Sequence, residues 1–231
     1  MSGLIDSATM VMRASSVRVD RAAINVANAS TPGFKRQLRV AEADAGFGAA
    51  LRRVRVDQAA GKLIETGRPL DLAIGGPGFF QLRAGDRILY SRQGDFALDP
   101  EGKVVTPQGY VLQQADGGDL VLDTQAVTID PDGTVRDGDR TLGRVALVDC
   151  ATPDDAVPID GSLFTIADAA AGPLAGASLR QGAVEASNVS LGDEMTSMMA
   201  ALRGSETGAR LVQVYDDLLG KAIGTFGQVG R

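Results

Sequence analysis

Apolar residues recur at steps of three and four at both ends of this chain, while the stretch between breaks into short apolar runs separated by Gly, Pro and Asp. In the first segment, with Ile5 at heptad position a, the a residues are Ile5, Met12, Val19 and Val26, and the d residues are Ala8, Ser15, Ala22 and Ala29. The second seam steps through Leu191, Met195, Met198, Leu202, Ser205, Ala209, Val212, Asp216, Leu219, Ile223 and Phe226, with Asp216 its one charge. A sustained 3.5-residue period keeps an apolar stripe facing a partner, and neither helix can bury such a stripe alone in water. At about 1.5 Å per residue the helices span roughly 40 and 55 Å, the length of assembly elements, although two amphipathic helices on an ordinary core share the same periodicity.

The first helix should end at Ala29-Ser30-Thr31-Pro32-Gly33, since Pro32 disfavours helix at Thr31 and Gly33 permits a turn. Ser187 or Asn188 is the expected N-cap of the second, and Asp193 and Glu194 suit its positive end. Residues 35–69 lack clear periodicity and read as an extended connector, with Arg52, Arg53 and Arg55 as a solvated face. From Leu70 the runs Leu72-Ala73-Ile74, Phe79-Phe80-Gln81-Leu82, Ile88-Leu89-Tyr90 and Phe96-Ala97-Leu98 predict antiparallel strands. The expected fold is α+β: long N- and C-terminal helices with coiled-coil seams that need packing partners, and a central antiparallel all-β domain. The divisions are residues 1–34, an N-terminal assembly helix; 35–69, the connector; 70–180, the β-domain; and 181–231, a C-terminal assembly helix.

Leu98-Asp99-Pro100-Glu101-Gly102-Lys103-Val104 and Ile129-Asp130-Pro131-Asp132-Gly133-Thr134-Val135 repeat one another, and Asp, Pro and Gly at these offsets suit a type I turn between strands. A calcium loop needs alternating oxygen ligands closed by a bidentate Glu, which neither copy has. Gly75-Gly76-Pro77-Gly78 lacks the Lys-Ser/Thr pair of a phosphate loop and reads as a tight turn.

Composition narrows the chemistry. The 231 residues contain no His, no Trp and a single Cys, so a Ser-His-Asp triad, a Cys-His pair, most zinc chemistry and an intrachain disulfide are excluded. Cys150 closes the apolar run from Val145 and should be a buried, inert thiol. No nucleophile, metal set or cofactor loop stands out, so neither an enzymatic role, a cofactor nor a small-molecule substrate is expected. A net charge of −6 gives no basic footprint for nucleic acid, and no apolar run is long enough for membrane insertion. An N-terminal signal segment is also missing from the pattern.

Three stretches then resemble one family, the axial proteins of the bacterial flagellum, which include rod and hook subunits. Asn25-Val26-Ala27-Asn28 through Thr31-Pro32-Gly33-Phe34-Lys35 is similar to the family's Asn-Asn-Leu-Ala-Asn followed by Thr-x-Gly-Phe-Lys, with Ile24 departing from it. Gly67-Arg68-Pro69-Leu70-Asp71-Leu72-Ala73-Ile74, then Gly78-Phe79-Phe80, resembles the start of the family's β-domain. Gly182-Ala183-Val184-Glu185-Ala186-Ser187-Asn188-Val189, with Glu194-Met195, Arg203 and Glu206, resembles its C-terminal motif; Ser205 stands where an aromatic is usual, and Gly204 and Gly208 are unusual within such a helix. A close crossing by a neighbouring subunit or a local break in the helix would each account for the two glycines.

The resemblance implies a structural subunit of the basal-body rod, most like the proximal-rod members and next the distal-rod ones by its single short insert, since hook-type members, the further alternative, generally carry longer inserts. It implies long N- and C-terminal helices paired as a coiled coil and lining a hollow axial drive shaft, copies of the chain and other rod subunits as partners, and the flagellar export apparatus as its route to the periplasm-spanning rod, without a cleaved signal peptide and with residues 1–231 as the mature protein. The residues expected at the assembly interface are Ile5, Ala8, Met12, Ser15, Val19, Ala22, Asn25, Val26, Asn28, Leu191, Met195, Met198, Leu202, Ala209, Val212, Leu219, Ile223 and Phe226. A different class, a β-domain binding module dimerised by its helices, fits the same two seams.

Overall fold

A computed structural model describes residues 3–39, 54–150, 152, 155–167, 170–174, 176 and 178–228. They fall into two compact units, a helical one built from the chain ends and a β-unit containing residues 28–38 and 54–189. The architecture is α+β, with the terminal helices and the central antiparallel strands that the periodicity predicts.

In the helical unit, α1 spans Gly3–Ala27 and α2 spans Leu191–Gln228. Asp6 sits in the first turn of α1, and Asp193 and Glu194 in that of α2, where negative charge meets unpaired backbone N–H groups. The cap of α2 is Ser190 rather than Ser187 or Asn188: the Asp193 amide faces the Ser190 hydroxyl at 3.5 Å, and the Glu194 amide donates to the Ser190 carbonyl at 3.0 Å. Asn188 is not free to cap, because its side chain is bonded within the β-unit.

The two helices pack antiparallel. A methyl group added at Gly204 would lie 2.7 Å from the Ser15 hydroxyl, and one at Gly208 would lie 2.6 Å from Met12 Cγ and 3.3 Å from the Ala8 carbonyl, so the order along one helix reverses along the other. α2 runs unbroken through both glycines, and α1 of the same chain makes the close crossing. Small residues permit this approach: Ala8, Ser15 and Ala22 on α1 and Ala201 and Gly208 on α2 are all buried.

The β-unit is antiparallel at every named strand pair. Its central strand, Phe79–Ala84, pairs with Arg87–Ser91, Val111–Leu112 and Leu147–Cys150. Successive side chains on a strand point to opposite faces, and here both faces are buried. Phe80, Leu82, Leu89, Leu147 and Leu163 enter one apolar cluster, while Phe79, Tyr90, Val148 and Phe164 enter a second. Phe80 meets Phe96 edge-on with centroids 5.3 Å apart, and Phe79 lies 5.2 Å from Phe164. Such aromatic pairs add to the apolar burial of each face.

Both copies of the repeated motif are strand, turn and strand. Gly102 donates its amide to the Asp99 carbonyl at 3.0 Å and Gly133 to that of Asp130 at 2.9 Å, the closing bond of a type I turn. Asp99 Oδ1 accepts from the amides of Glu101 and Lys103, and Asp130 pairs with Arg136 at 2.8 Å. Their carboxylates serve the hairpins themselves. Gly75-Gly76-Pro77-Gly78 turns between the strands Leu72–Gly75 and Phe79–Ala84. The stretch expected to be an extended connector contains the short strands Val54–Val56 and Leu63–Glu65; the latter pairs with Ala183–Glu185 through Leu63 and Glu185. Arg52 and Arg53 lie outside the described residues, and Arg55 is exposed. Cys150 is half-buried rather than buried, with its thiol 3.0 Å from the Thr152 carbonyl.

A charged junction and the helix faces

The N-terminal, central and C-terminal motifs meet inside the β-unit. After α1 ends at Ala27, the Thr31 amide bonds to the Asn28 carbonyl at 3.1 Å, and Gly33 takes a positive φ of 68°. This turn buries Phe34 and Lys35. Gly33 donates its amide to the Glu185 carbonyl at 2.7 Å, and its Cα lies so near the chain at Arg92 that an added methyl would come within 2.2 Å of the Arg92 carbonyl carbon. Only glycine fits both the dihedral and the space.

Lys35 Nζ donates to Glu185 Oε1 at 2.6 Å and to the Ala59 carbonyl at 2.8 Å. The same Oε1 accepts the Gly61 amide at 2.8 Å, while Glu185 Oε2 lies 3.6 Å from an Arg92 nitrogen. Lys35 and Glu185 are 1% and 2% exposed, and Arg92 is 4% exposed. Arg92 also donates to the carbonyls of Ile74 and Gly76, and its guanidinium lies 5.9 Å from the centroid of the Phe79 ring. Two buried cations thus share one carboxylate. Burial pushes the Lys35 ammonium below its usual pKa against the opposing pull of Glu185, and it lowers Arg92 likewise.

Asn188 completes the seam between the two chain ends. Its side-chain oxygen accepts the Arg36 amide at 2.7 Å, and its Nδ2 donates to the carbonyls of Asp57 and Ala59 at 2.9 and 3.0 Å. The central motif joins the same C-terminal segment: Arg68 grips Asp71 at 2.8 Å through two nitrogens, and Thr66 donates to it at 2.6 Å. The Asp71 carbonyl then accepts the Gly182 amide at 2.8 Å, and the Gly182 carbonyl accepts the amides of Thr66 and Gly67. Beside Arg92, a pocket of about 90 Å³ touches Gln58, Phe79, Asp149 and Cys150. It has space for a few waters. Among the described residues, no three His, Cys, Asp or Glu side chains gather as a metal site, and no helix is long and apolar enough to cross a membrane.

The residues expected at the assembly interface differ in exposure. Ala8, Ser15, Ala22 and Asn25 are buried; Met12, Val19, Val26, Asn28, Met198, Ala209 and Val212 are half-buried. Ile5, Leu191, Met195, Leu202 and Leu219 are exposed. The side chains of Ile223 and Phe226 lie outside the described residues, although α2 runs past both. On α2 the less exposed face is Glu194, Met198, Ala201, Ser205, Gly208, Val212 and Tyr215, a heptad series that shares Met198, Ser205 and Val212 with the sequence seam. Its other positions are displaced by one residue, from Met195, Leu202, Ala209 and Asp216 to Glu194, Ala201, Gly208 and Tyr215; Asp216 is exposed.

A β-domain that clasps both chain ends at a buried charged junction, each end continuing into a long helix with apolar surface to spare, defines a structural subunit. Comparison with known proteins agrees. Residues 73–136 match the flagellar hook protein FlgE/F/G D1 domain, and residues 180–225 match the flagellar basal body rod FlgEFG protein C-terminal region. The chain is 30% identical over 240 residues to the flagellar basal-body rod protein FlgG of Bacillus subtilis (strain 168), covering 86% of this chain and 89% of that protein. It is 31% identical over 229 residues to FlgF of Caulobacter vibrioides, covering 91% and 92%, and 33% identical over 224 residues to FlgF of Escherichia coli K12, covering 87% and 88%. The chain belongs to the FlgF/FlgG type of flagellar basal-body rod proteins, a structural and not an enzymatic family.

Proposed function

We propose that this rod subunit polymerises through its terminal helices into the hollow axial drive shaft of the basal body, with copies of itself and other rod subunits as partners. The observation that carries this is the apolar surface left on the packed helices. Leu191, Met195, Met199, Leu202, Leu211, Val214 and Leu218 on α2 are 42 to 59% exposed, as are Met10 and Ile24 on α1 at 47% and 42%. Isolated exposed apolar residues need no explanation, but rows along two helices mark an interaction surface. A coiled-coil arrangement of the paired helices continues the heptad period of both. The chain reaches the periplasm-spanning rod through the flagellar export apparatus, and its short central insert favours a rod position, proximal first and distal next, over a hook one.

Sedimentation and electron microscopy of the purified chain across a concentration series test the reading. Concentration-dependent polymers support it, and a stable soluble dimer would favour the binding-module alternative. A monomer whose two helices are both fully protected from hydrogen exchange at low concentration, and which never polymerises, overturns the proposal. Imaging basal bodies with and without this chain tests the position in the rod.

A further inference from the structure

Met10, Val17 and Ile24 form a row on α1 with the same seven-residue repeat as the buried row Ala8, Ser15 and Ala22. The first row is displaced from the second by two residues, about 200° around a helix, and so faces away from it. Met10 and Ile24 are exposed and Val17 half-buried. Since α2 of the same chain lies against Ala8 and Ser15, it cannot also cover this back face. On α2, Met195 and Leu202 repeat at the same interval, one residue or about 100° round from the buried positions Glu194 and Ala201, and Leu191 extends that row by a turn.

We infer that the Met10–Val17–Ile24 face of α1 packs against the Leu191–Met195–Leu202 face of α2 in the next copy of this chain. The inference rests on the polymerisation proposed above and assigns its contact. Both rows have the spacing that lets knobs of one helix fill holes of another. The two rows are of similar length, about 21 and 17 Å at the usual helical rise. The α2 row borders Met198, which belongs to the face turned towards α1, so the new contact continues an interface the fold already has. Arg13 and Asp20 flank the first row, and Arg203 and Glu206 the second; each border carries both signs of charge, so one running direction of the helices sets unlike charges opposite each other. Because the rows are unlike, copies join head to tail, the heterologous kind of contact that builds an open helical array when its rotation does not close.

The test uses two full-length chains with Cys150→Ser, which removes the native thiol, one also carrying Val17→Cys and the other Met195→Cys. Each new thiol is central in its row, so the two meet whichever way the helices run. Mixed under polymer-forming conditions and gently oxidised, the chains are expected to give a disulfide-linked dimer several-fold above that of either alone. Polymers that sediment normally without the mixed disulfide overturn the assigned faces and leave polymerisation standing. Equal cross-linking within either single variant overturns the pairing of unlike faces. An unsubstituted chain that never sediments overturns both proposals. Val17→Asp provides a second readout: it is expected to reduce polymer several-fold at unchanged helicity, and polymerisation at the wild-type level also overturns the faces.

Discussion

Gly204 and Ser15 approach so closely that a single methyl group on the glycine would come within 2.7 Å of the serine hydroxyl. Glycine inside a helix ordinarily costs roughly 1 kcal/mol relative to alanine, so the cost here is offset by the nearness of the two helices. The same arithmetic changes sign from one glycine to the next along α2.

Gly220 has nothing within 4 Å of an added methyl, whereas Gly208 faces Met12 Cγ at 2.6 Å and the Ala8 carbonyl at 3.3 Å. Gly220→Ala is expected to stabilise the helical unit by about 1 kcal/mol through propensity alone. Gly208→Ala is expected to lose that gain and to destabilise by roughly 1 to 3 kcal/mol through overpacking. Thermal unfolding followed by far-ultraviolet circular dichroism distinguishes them; equal effects would show that the helices are not in close contact in solution.

Ala22 is 2% exposed. Ala22→Leu adds three carbons at a buried position, and is expected to lower helicity and block polymerisation, at a cost of about 1 to 3 kcal/mol, while the β-unit stays folded. Sedimentation with limited proteolysis of the β-unit checks both halves of that expectation.

The junction predicts an asymmetry between its ions. Lys35→Met leaves Glu185 with Arg92, 3.6 Å away, whereas Glu185→Leu strands two buried cations. Breaking one partner of a buried pair typically costs about 3 to 5 kcal/mol, so Glu185→Leu is expected at or above the top of that range and Lys35→Met nearer the bottom. Urea unfolding followed by near-ultraviolet circular dichroism from the tyrosines measures the order, and the reverse order would refute the shared-carboxylate arrangement.

Asp119 provides the pH dependence. Its hydrogen bonds from Arg83, at 2.6 and 2.8 Å, and then from Gln113 hold its carboxyl at about 2, below the ordinary 3.8. On acidification the unfolded chain takes up this proton first, so the stabilisation is present above about pH 4 and is lost as pH falls from there to about 2. Asp119→Asn should be less stable than the parent at neutral pH, with the difference shrinking across that window. A constant difference would mean that the Arg83 pair contributes nothing through charge.

Both helices were legible in the heptads, as were the hairpins in Asp-Pro-x-Gly, because those signals are local. The face of α2 was harder to read. Met195 and Leu202 have the apolar character that periodicity rewards, yet the helices approach through Ala201 and Gly208, where small size and not hydrophobicity sets the separation. The junction could not be read from either end by itself. Lys35 and Glu185 are 150 positions apart, and Glu185 sits in an otherwise apolar Ala-Val strand; its local signal is a lone charge where the pleat buries every side chain. Likewise Ser187 and Asn188 look like caps, but a long-range demand, the backbone of Arg36, Asp57 and Ala59, takes Asn188 instead.

The chain from Thr66 to Gly182 leaves and returns at one neck, where the amides of Thr66 and Gly67 bond to the Gly182 carbonyl. Topologically it is a noose drawn shut at its base. Its hairpin tips, such as the turn at Asp137-Gly138-Asp139, can lengthen or acquire whole modules without altering how Lys35 and Glu185 fasten the two ends. In such a layout the size of the loop and the fastening at its base are set by different residues.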